Sequence, residues 1–273
     1  MSASRSSHRR VIDSLKVCAD VFDFYFVVSI PVMKVHMHTG ATLSSKNMKG
    51  RSKVDLHMLP QLEGTADKSL DIAIGDMATV LKPDFALFDG SIGQEGLGPG
   101  AGTPKKLNVV VAGGDAFAAD AVACRLMGRN ADEIPHLRIG AAKGCGIIDL
   151  DQISVSPGNW MDFASEFKAA PKNLSFEFPD VEVLDKNSCS ACQSTLLLFL
   201  QRFGKSLADY IPADEPLRVA ICKGHDELPD GTLCIGQCTV RRKEGGIYVP
   251  GCPPVGSQIF KTLQQHAEED APE

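Results

Sequence analysis

The chain has 273 residues, enough for two compact domains, and its 44% hydrophobic and 23% charged residues are ordinary for a folded globular protein. A formal net charge of −6 argues against the basic face that nucleic-acid binding needs, so we expect no nucleic-acid partner. Neither a membrane-spanning apolar run nor a secretory signal is recognisable, which indicates a cytoplasmic protein.

The first two-thirds of the chain alternate apolar runs, glycine-rich turns and helical patterns, which is typical of an α/β fold. The predicted strands are Tyr25 to Ile30, Phe85 to Asp89 and Leu107 to Ala112. The predicted helices are Asp67 to Leu81, Ala116 to Met127 and Pro135 to Lys143, and a glycine loop is predicted over Gly90 to Gly102.

A second, smaller α/β unit follows a polar connection that contains the only Trp. Its predicted strands are Val181 to Leu184, Leu217 to Cys222 and Thr232 to Ile235, and its predicted helices are Ser194 to Phe203 and Val255 to His266. The sequence thus predicts two α/β layers, with a first domain over residues 1–156, a connection over 157–179, a cysteine-rich domain over 180–267 and a disordered tail over 268–273.

Four of the nine cysteines have a spacing that suggests a metal site. Cys189 and Cys192 form a Cys-x-x-Cys motif, Cys238 follows a Gly-Gln pair, and Cys252 lies in a Gly-Cys-Pro-Pro turn. Each follows a predicted strand, and such loops gather at one edge of an α/β sheet. Four thiolates from three loops form the ligand set of a [4Fe–4S] cluster.

Zinc is the main alternative, although structural zinc sites usually pair two Cys-x-x-Cys motifs and only one is present. A redox-active dithiol is a third interpretation. Cys234 could take the place of Cys238 as a ligand, whereas Cys222 is expected to be a buried hydrophobe. The remaining cysteines, Cys18, Cys124 and Cys145, lack ligand-type spacing.

The order Cys-x-x-Cys, Gly-x-Cys, Gly-Cys-Pro-Pro resembles the proximal-cluster site of nickel–iron hydrogenase small subunits, over about residues 180–265. The resemblance implies a flavodoxin-like half-domain that holds a [4Fe–4S] cluster through Cys189, Cys192, Cys238 and Cys252. Hydrogenase activity does not carry over, because nothing in the chain supplies the nickel-binding large subunit.

In the first domain, polar residues cluster where predicted strands end. Lys34, His36, Lys46 and Asn47 follow one strand, and Asp89 ends another. Strand ends are where α/β folds place ligands, so these five residues are the predicted substrate-binding residues, forming an anion-binding or acid–base pocket.

Five segments of the first domain resemble the domain of unknown function family 362 (DUF362), over about residues 22–155. The segments are Pro31 to His36, Lys46 to Gly50, Phe88 to Gly90, Gly96 to Pro104 and Ala119 to Ala121. This resemblance implies an association with iron–sulphur modules, no established activity, and a member shortened at its N-terminus.

Together these patterns predict a cytoplasmic [4Fe–4S] protein that transfers electrons to a redox partner protein or a small-molecule substrate. Whether it is an enzyme is left open, an iron–sulphur oxidoreductase being one interpretation. The alternative is a binding module in which zinc or a cluster is only structural.

Overall fold

In a computed structural model, residues 15–52, 69–100, 102–170, 180–186, 188–210, 215–221, 225–242 and 244–269 are described. They fall into two compact units, which divide near residue 172. Each unit combines helices with a β-sheet, which confirms the predicted α/β class.

The first unit contains a five-stranded mixed sheet. Its strands are β1 (Val28–Ser29), β2 (Val32–His36), β3 (Gly40–Thr42), β4 (Phe85–Glu95) and β5 (Thr103–Gly113). Strand β4 pairs in parallel with β1 and β2 and antiparallel with β5, while β3 pairs antiparallel with β2. The face of this sheet that packs into the core carries Met33, Val35 and Phe88, all of which are buried.

Strand β4 is longer than predicted, because it continues through glycines that the sequence analysis assigned to a loop. Gly90 and Gly93 lie inside the strand. A Cβ on Gly90 would lie 2.7 Å from the Met33 sulphur, and one on Gly93 would lie 2.7 Å from the Met33 carbonyl oxygen. These glycines therefore permit close approach of neighbouring chain segments and do not form a turn.

The predicted strand over Tyr25 to Ile30 is correspondingly shorter, since only Val28 and Ser29 pair with β4. The side chains of Phe24, Tyr25 and Phe26 are exposed. Pro31 interrupts the run before β2, because proline has no N–H to donate to the sheet.

The described residues of the first unit also form four α-helices: α1 (Ser44–Asn47), α2 (Ser69–Ala78), α3 (Ala116–Leu126) and α4 (Pro135–Ala142). Every residue of α2 is buried. Asp115 caps α3 by accepting hydrogen bonds from the backbone N–H groups of Phe117 and Ala118. Helices α2 and α4 pack closely at Gly75, where a Cβ would lie 2.5 Å from the Ile139 side chain.

Residues 157–170 were predicted to begin the connection, and in the structure they pack on the first unit. Phe167 is buried in its core, and Trp160 is half-buried against the same cluster. The backbone N–H of Phe167 donates to the Met127 carbonyl at 3.0 Å.

The second unit is built on a four-stranded, fully parallel sheet with its strands in chain order. The strands are β6 (Val181–Asp185), β7 (Leu217–Ile221), β8 (Leu233–Ile235) and β9 (Ile247–Val249), and the helices are α5 (Ser190–Phe203) and α6 (Gly256–Glu269). Both helices contribute to its core, through Phe199, Leu200 and Ile259 among others. Helix α6 extends into the stretch predicted as a disordered tail, of which residues 270–273 lie outside the described residues.

Within the described part of the chain, no helix is long and apolar enough to cross a membrane.

Candidate metal centre

All four predicted cysteine ligands lie beyond the same edge of the second sheet. Because β6 to β9 run parallel, their carboxyl ends meet at one edge. Cys189 and Cys192 follow β6, Cys238 follows β8, and Cys252 follows β9.

The first pair is positioned by the carboxylate of Asp185, at the end of β6. This carboxylate accepts hydrogen bonds from the Ser188 backbone N–H at 2.8 Å, the Ser188 hydroxyl at 2.8 Å and the Gln193 side-chain amide at 3.0 Å. These bonds fix the turn that leads into α5. The helix begins at Ser190, four residues earlier than predicted, so Cys189 is its N-cap and Cys192 lies in its first turn.

The other two cysteine loops are joined by backbone hydrogen bonds. The Gly236 N–H donates to the Val249 carbonyl at 2.9 Å, and the Gln237 N–H donates to the Gly251 carbonyl at 2.7 Å. These bonds hold the segment before Cys238 beside the segment before Cys252.

Gly236 also brings the Cys238 loop against the first pair. Its φ angle is +94°, a conformation that favours glycine, and a Cβ there would lie 3.4 Å from the Cys192 sulphur. A side chain at this position would fill the space beside that sulphur.

The other three cysteines also affect the pKa of Cys192. Its pKa is raised, first by a hydrogen bond with Cys189, then by burial, and then by the charges of Cys189, Cys238 and Cys252. Cys192 is buried and Cys189 half-buried, whereas Cys238 and Cys252 are exposed. Cys192 therefore lies within electrostatic reach of the other three thiols, two of which are open to solvent.

Four thiolates suit either a single soft metal ion or an iron–sulphur cluster. No three His, Cys, Asp or Glu side chains of the described residues converge on the position of a single metal ion. A cubane cluster makes no such demand, since each of its four irons takes one thiolate. The donor chemistry and the space left by Gly236 thus fit a cluster.

Of the remaining cysteines, Cys234 matters most, because it is the alternative to Cys238. It lies fully buried within β8, and burial raises its pKa. Cys238, and not Cys234, contributes to the charge felt by Cys192. Cys124 and Cys145 are buried in the first unit, Cys18 is exposed there, and Cys222 lies outside the described residues.

The predicted substrate-binding residues of the first unit lie in different environments. Lys34 is half-buried on β2, His36 is buried at the end of that strand, and Lys46 is buried in α1. Asn47 is exposed, and its amide donates to the Ser29 hydroxyl at 3.1 Å. Asp89 is exposed on β4, where hydrogen bonds from Ser91 lower its pKa.

Lys34 lies close enough to Lys46 for its charge to affect the pKa of Lys46. Burial, followed by the charges of Lys49 and Lys34, lowers the pKa of Lys46 to about 7, while Asp71 acts in the opposite direction. The ring of His36 accepts hydrogen bonds from the backbone N–H groups of His38 and Thr39, at 3.1 and 3.3 Å, and therefore orders the β2–β3 turn.

Three buried residues near Lys46 are absent from the predicted site. Asp71 and His136 face each other at 3.5 Å, and both are almost fully buried. Asp120 accepts hydrogen bonds from the backbone N–H groups of Ser44 at 2.7 Å and Ser45 at 3.0 Å, and burial raises its pKa to about 7. Charged residues within apolar helical patterns were the only sequence signal for Asp71 and Asp120.

The similarity of this chain to known proteins lies in its first half. The thylakoid-associated protein sll1697 of Synechocystis sp. is 26% identical over 127 residues, which cover 45% of this chain and 39% of that protein. This chain therefore matches well under half of its relative's length. No solved structure matches significantly. Residues 2–125, slightly less than half of the chain, match the family described as domain of unknown function (DUF362), and this match supports the predicted relationship to that family.

Proposed function

We propose that the second unit binds a [4Fe–4S] cluster through Cys189, Cys192, Cys238 and Cys252 and serves in electron transfer. The observation that supports this proposal is that four thiols follow strands of one parallel sheet at its carboxyl edge, with Cys192 within electrostatic reach of the other three. When bound, such a cluster supplies a one-electron redox centre.

The residues around the site have distinct roles in this proposal. Cys192 holds the buried side, where low exposure to water would influence the redox potential. Cys238 and Cys252 form the exposed side, from which a redox partner protein or a small-molecule substrate would approach. Asp185 keeps the first two thiols in place through its three hydrogen bonds.

Zinc fits the arrangement less well. Four thiolates around zinc must all come within about 2.3 Å of one ion. The described cysteines do not converge in that way, although Cys192 lies within electrostatic reach of the other three. A binding module without redox activity, stabilised by zinc or by the cluster, is therefore the second candidate.

The proposal also includes a substrate site in the first unit, formed by Lys34, His36, Lys46, Asn47 and Asp89. The effect of the Lys34 charge on the pKa of Lys46 supports this site, because it indicates that the two side chains lie near each other.

Anaerobic purification tests the cluster directly. We expect a brown protein with about four irons per chain and, after reduction, an electron paramagnetic resonance signal. A colourless protein with one zinc would reject the electron-transfer function.

A pair of cysteine variants tests the ligand assignment. Cys238→Ala is expected to lose most of the bound iron, because it removes one of the four thiolates. Cys234→Ala is the matched control, since that thiol lies inside β8, and it should retain the iron of the parent protein. Iron retention in Cys238→Ala together with iron loss in Cys234→Ala would show that Cys234 is the ligand.

A further inference from the structure

A group of buried polar side chains surrounds Lys46 in the first unit. Only 7% of Lys46 is exposed, so its ammonium group is largely removed from water. Burial of a charge is costly unless an opposite charge or hydrogen bonds compensate for it.

The charges that act on Lys46 from the described residues are mainly positive. Lys34 on β2 and Lys49 after α1 add positive charge, and Asp71 on α2 is the carboxylate that acts on Lys46 from the described residues. His136 on α4 faces Asp71, and burial lowers its pKa, which keeps the imidazole neutral. Asp120 on α3 binds the backbone of α1 instead. An additional negative charge would relieve this imbalance.

Hydrogen-bonding groups without partners accompany the positive charge. Thr42 lies directly opposite Lys34 in the β2–β3 pair, so the two side chains share one face of the sheet. The Thr42 hydroxyl, the Ser44 hydroxyl and the His136 Nε2 atom are buried and lack hydrogen-bond partners among the described residues. Burial of each such group is unfavourable unless a ligand or water satisfies it.

We propose that Lys46, Lys34 and Thr42 bind an oxyanion group, either a phosphoryl group or a carboxylate, of a small-molecule substrate. Lys46 supplies the buried positive charge, Lys34 supplies a second ammonium from the neighbouring strand, and Thr42 donates a hydrogen bond. The inference rests on the substrate site proposed above, identifies its ligand as an anion, and adds Thr42 to it.

Binding of an anion is expected to be coupled to protonation of Lys46. Without a bound anion, Lys46 has a pKa of about 7, and a bound anion would raise that pKa. Affinity should therefore fall as the pH rises above 7, by up to about tenfold per pH unit. Sulfate is the appropriate probe for this dependence, because its own charge stays constant in this range.

The test is calorimetric titration of the full-length, anaerobically purified protein with sulfate and, separately, with acetate. We expect Lys46→Met to weaken binding by about tenfold or more and Thr42→Val to weaken it severalfold. Lys106→Met is the matched control, because Lys106 is an exposed lysine on β5, and it should bind like the parent protein.

The result separates the two sources of the anion and can overturn the proposal. Preference for sulfate indicates a phosphoryl-bearing ligand, and preference for acetate indicates a carboxylate. Equal binding by Lys46→Met and the parent protein, or no binding of either anion, would overturn the site. Iron content measured on the same samples shows whether the cluster is present, so failure of one proposal is distinguishable from failure of the other.

Discussion

At the scale of single residues, the first unit buries two ionisable groups whose pKa values are shifted in opposite directions. Burial raises the pKa of Asp120 to about 7, so the stability associated with its protonated form is lost as the pH rises through that value. Burial lowers the pKa of Lys46 to about 7, so the cost of burying its ammonium is greatest below that value. Both groups therefore disfavour the folded state near neutral pH, a property common at functional sites.

Replacement of Lys46 by Met should increase the stability of the protein. We expect Lys46→Met to raise the free energy of unfolding at pH 6 by about 1–4 kcal/mol, because a buried charge is replaced by an apolar group of similar length. The gain should be smaller at pH 9, where the folded protein holds a neutral amine. Urea unfolding at both pH values measures the effect.

The control for this experiment is Lys106→Met, whose exposed position should keep the change within about 0.5 kcal/mol. Destabilisation by Lys46→Met at both pH values would show that the ammonium has a structural role.

The sequence indicated Lys46 because it follows a strand within a polar segment. It could not indicate His136 as a neighbour, since the two residues meet only when α4 packs beside the elements that carry Lys46 and Asp71. Burial of charge depends on tertiary packing, which no local pattern reports.

At the scale of elements, glycines stand at both ends of β8: Gly231 precedes the strand, and Gly236 follows it at the carboxyl edge of the sheet. Gly236 and Gly231 both have positive φ angles, at +94° and +74°. Only Gly236 has Cys192 beside it, whereas a Cβ at Gly231 would meet nothing within 4 Å. The two positions therefore separate backbone strain from crowding of the thiol.

Gly236→Ala should reduce the iron content of the purified protein, because the added methyl group would crowd the Cys192 sulphur. Gly231→Ala should retain full iron content, although both variants lose about 1 kcal/mol of stability from the strained backbone. Iron analysis and thermal unfolding measure the two effects. Equal iron loss in both variants would assign the effect to stability alone.

Most elements could be predicted because they are apolar runs with clear boundaries, as in α3, which Asp115 caps, and in β7. The early start of α5 was missed because Cys189 to Cys192 carry no helical pattern, and their position depends on hydrogen bonds to Asp185. The length of β4 was missed because glycine is typical of turns, whereas Gly90 and Gly93 serve close packing.

At the scale of the whole molecule, the chain forms two units with separate hydrophobic cores. The proposed cluster belongs to the second unit, while Trp160, the only tryptophan, packs on the first. Visible absorbance and tryptophan fluorescence therefore report on different units.

Removal of iron with a chelator should lower the unfolding temperature of the second unit only. A group that binds the folded state and not the unfolded state stabilises the unit that holds it. We expect the loss of helical circular dichroism to begin at a lower temperature, with the midpoint of the Trp160 fluorescence change unaltered. Equal shifts in the two signals would show that both units unfold in one cooperative step.

The parallel sheet of the second unit has a kinetic consequence. Parallel strands cannot be joined by tight hairpins, so each pairing in this sheet closes a long stretch of chain. Such contacts form slowly, and the Cys-x-x-Cys pair has no third or fourth sulphur beside it until β8 and β9 have joined the sheet. Assembly of the proposed cluster would therefore follow folding, and a cell that makes this protein would have to deliver iron and sulphide to a nearly finished chain.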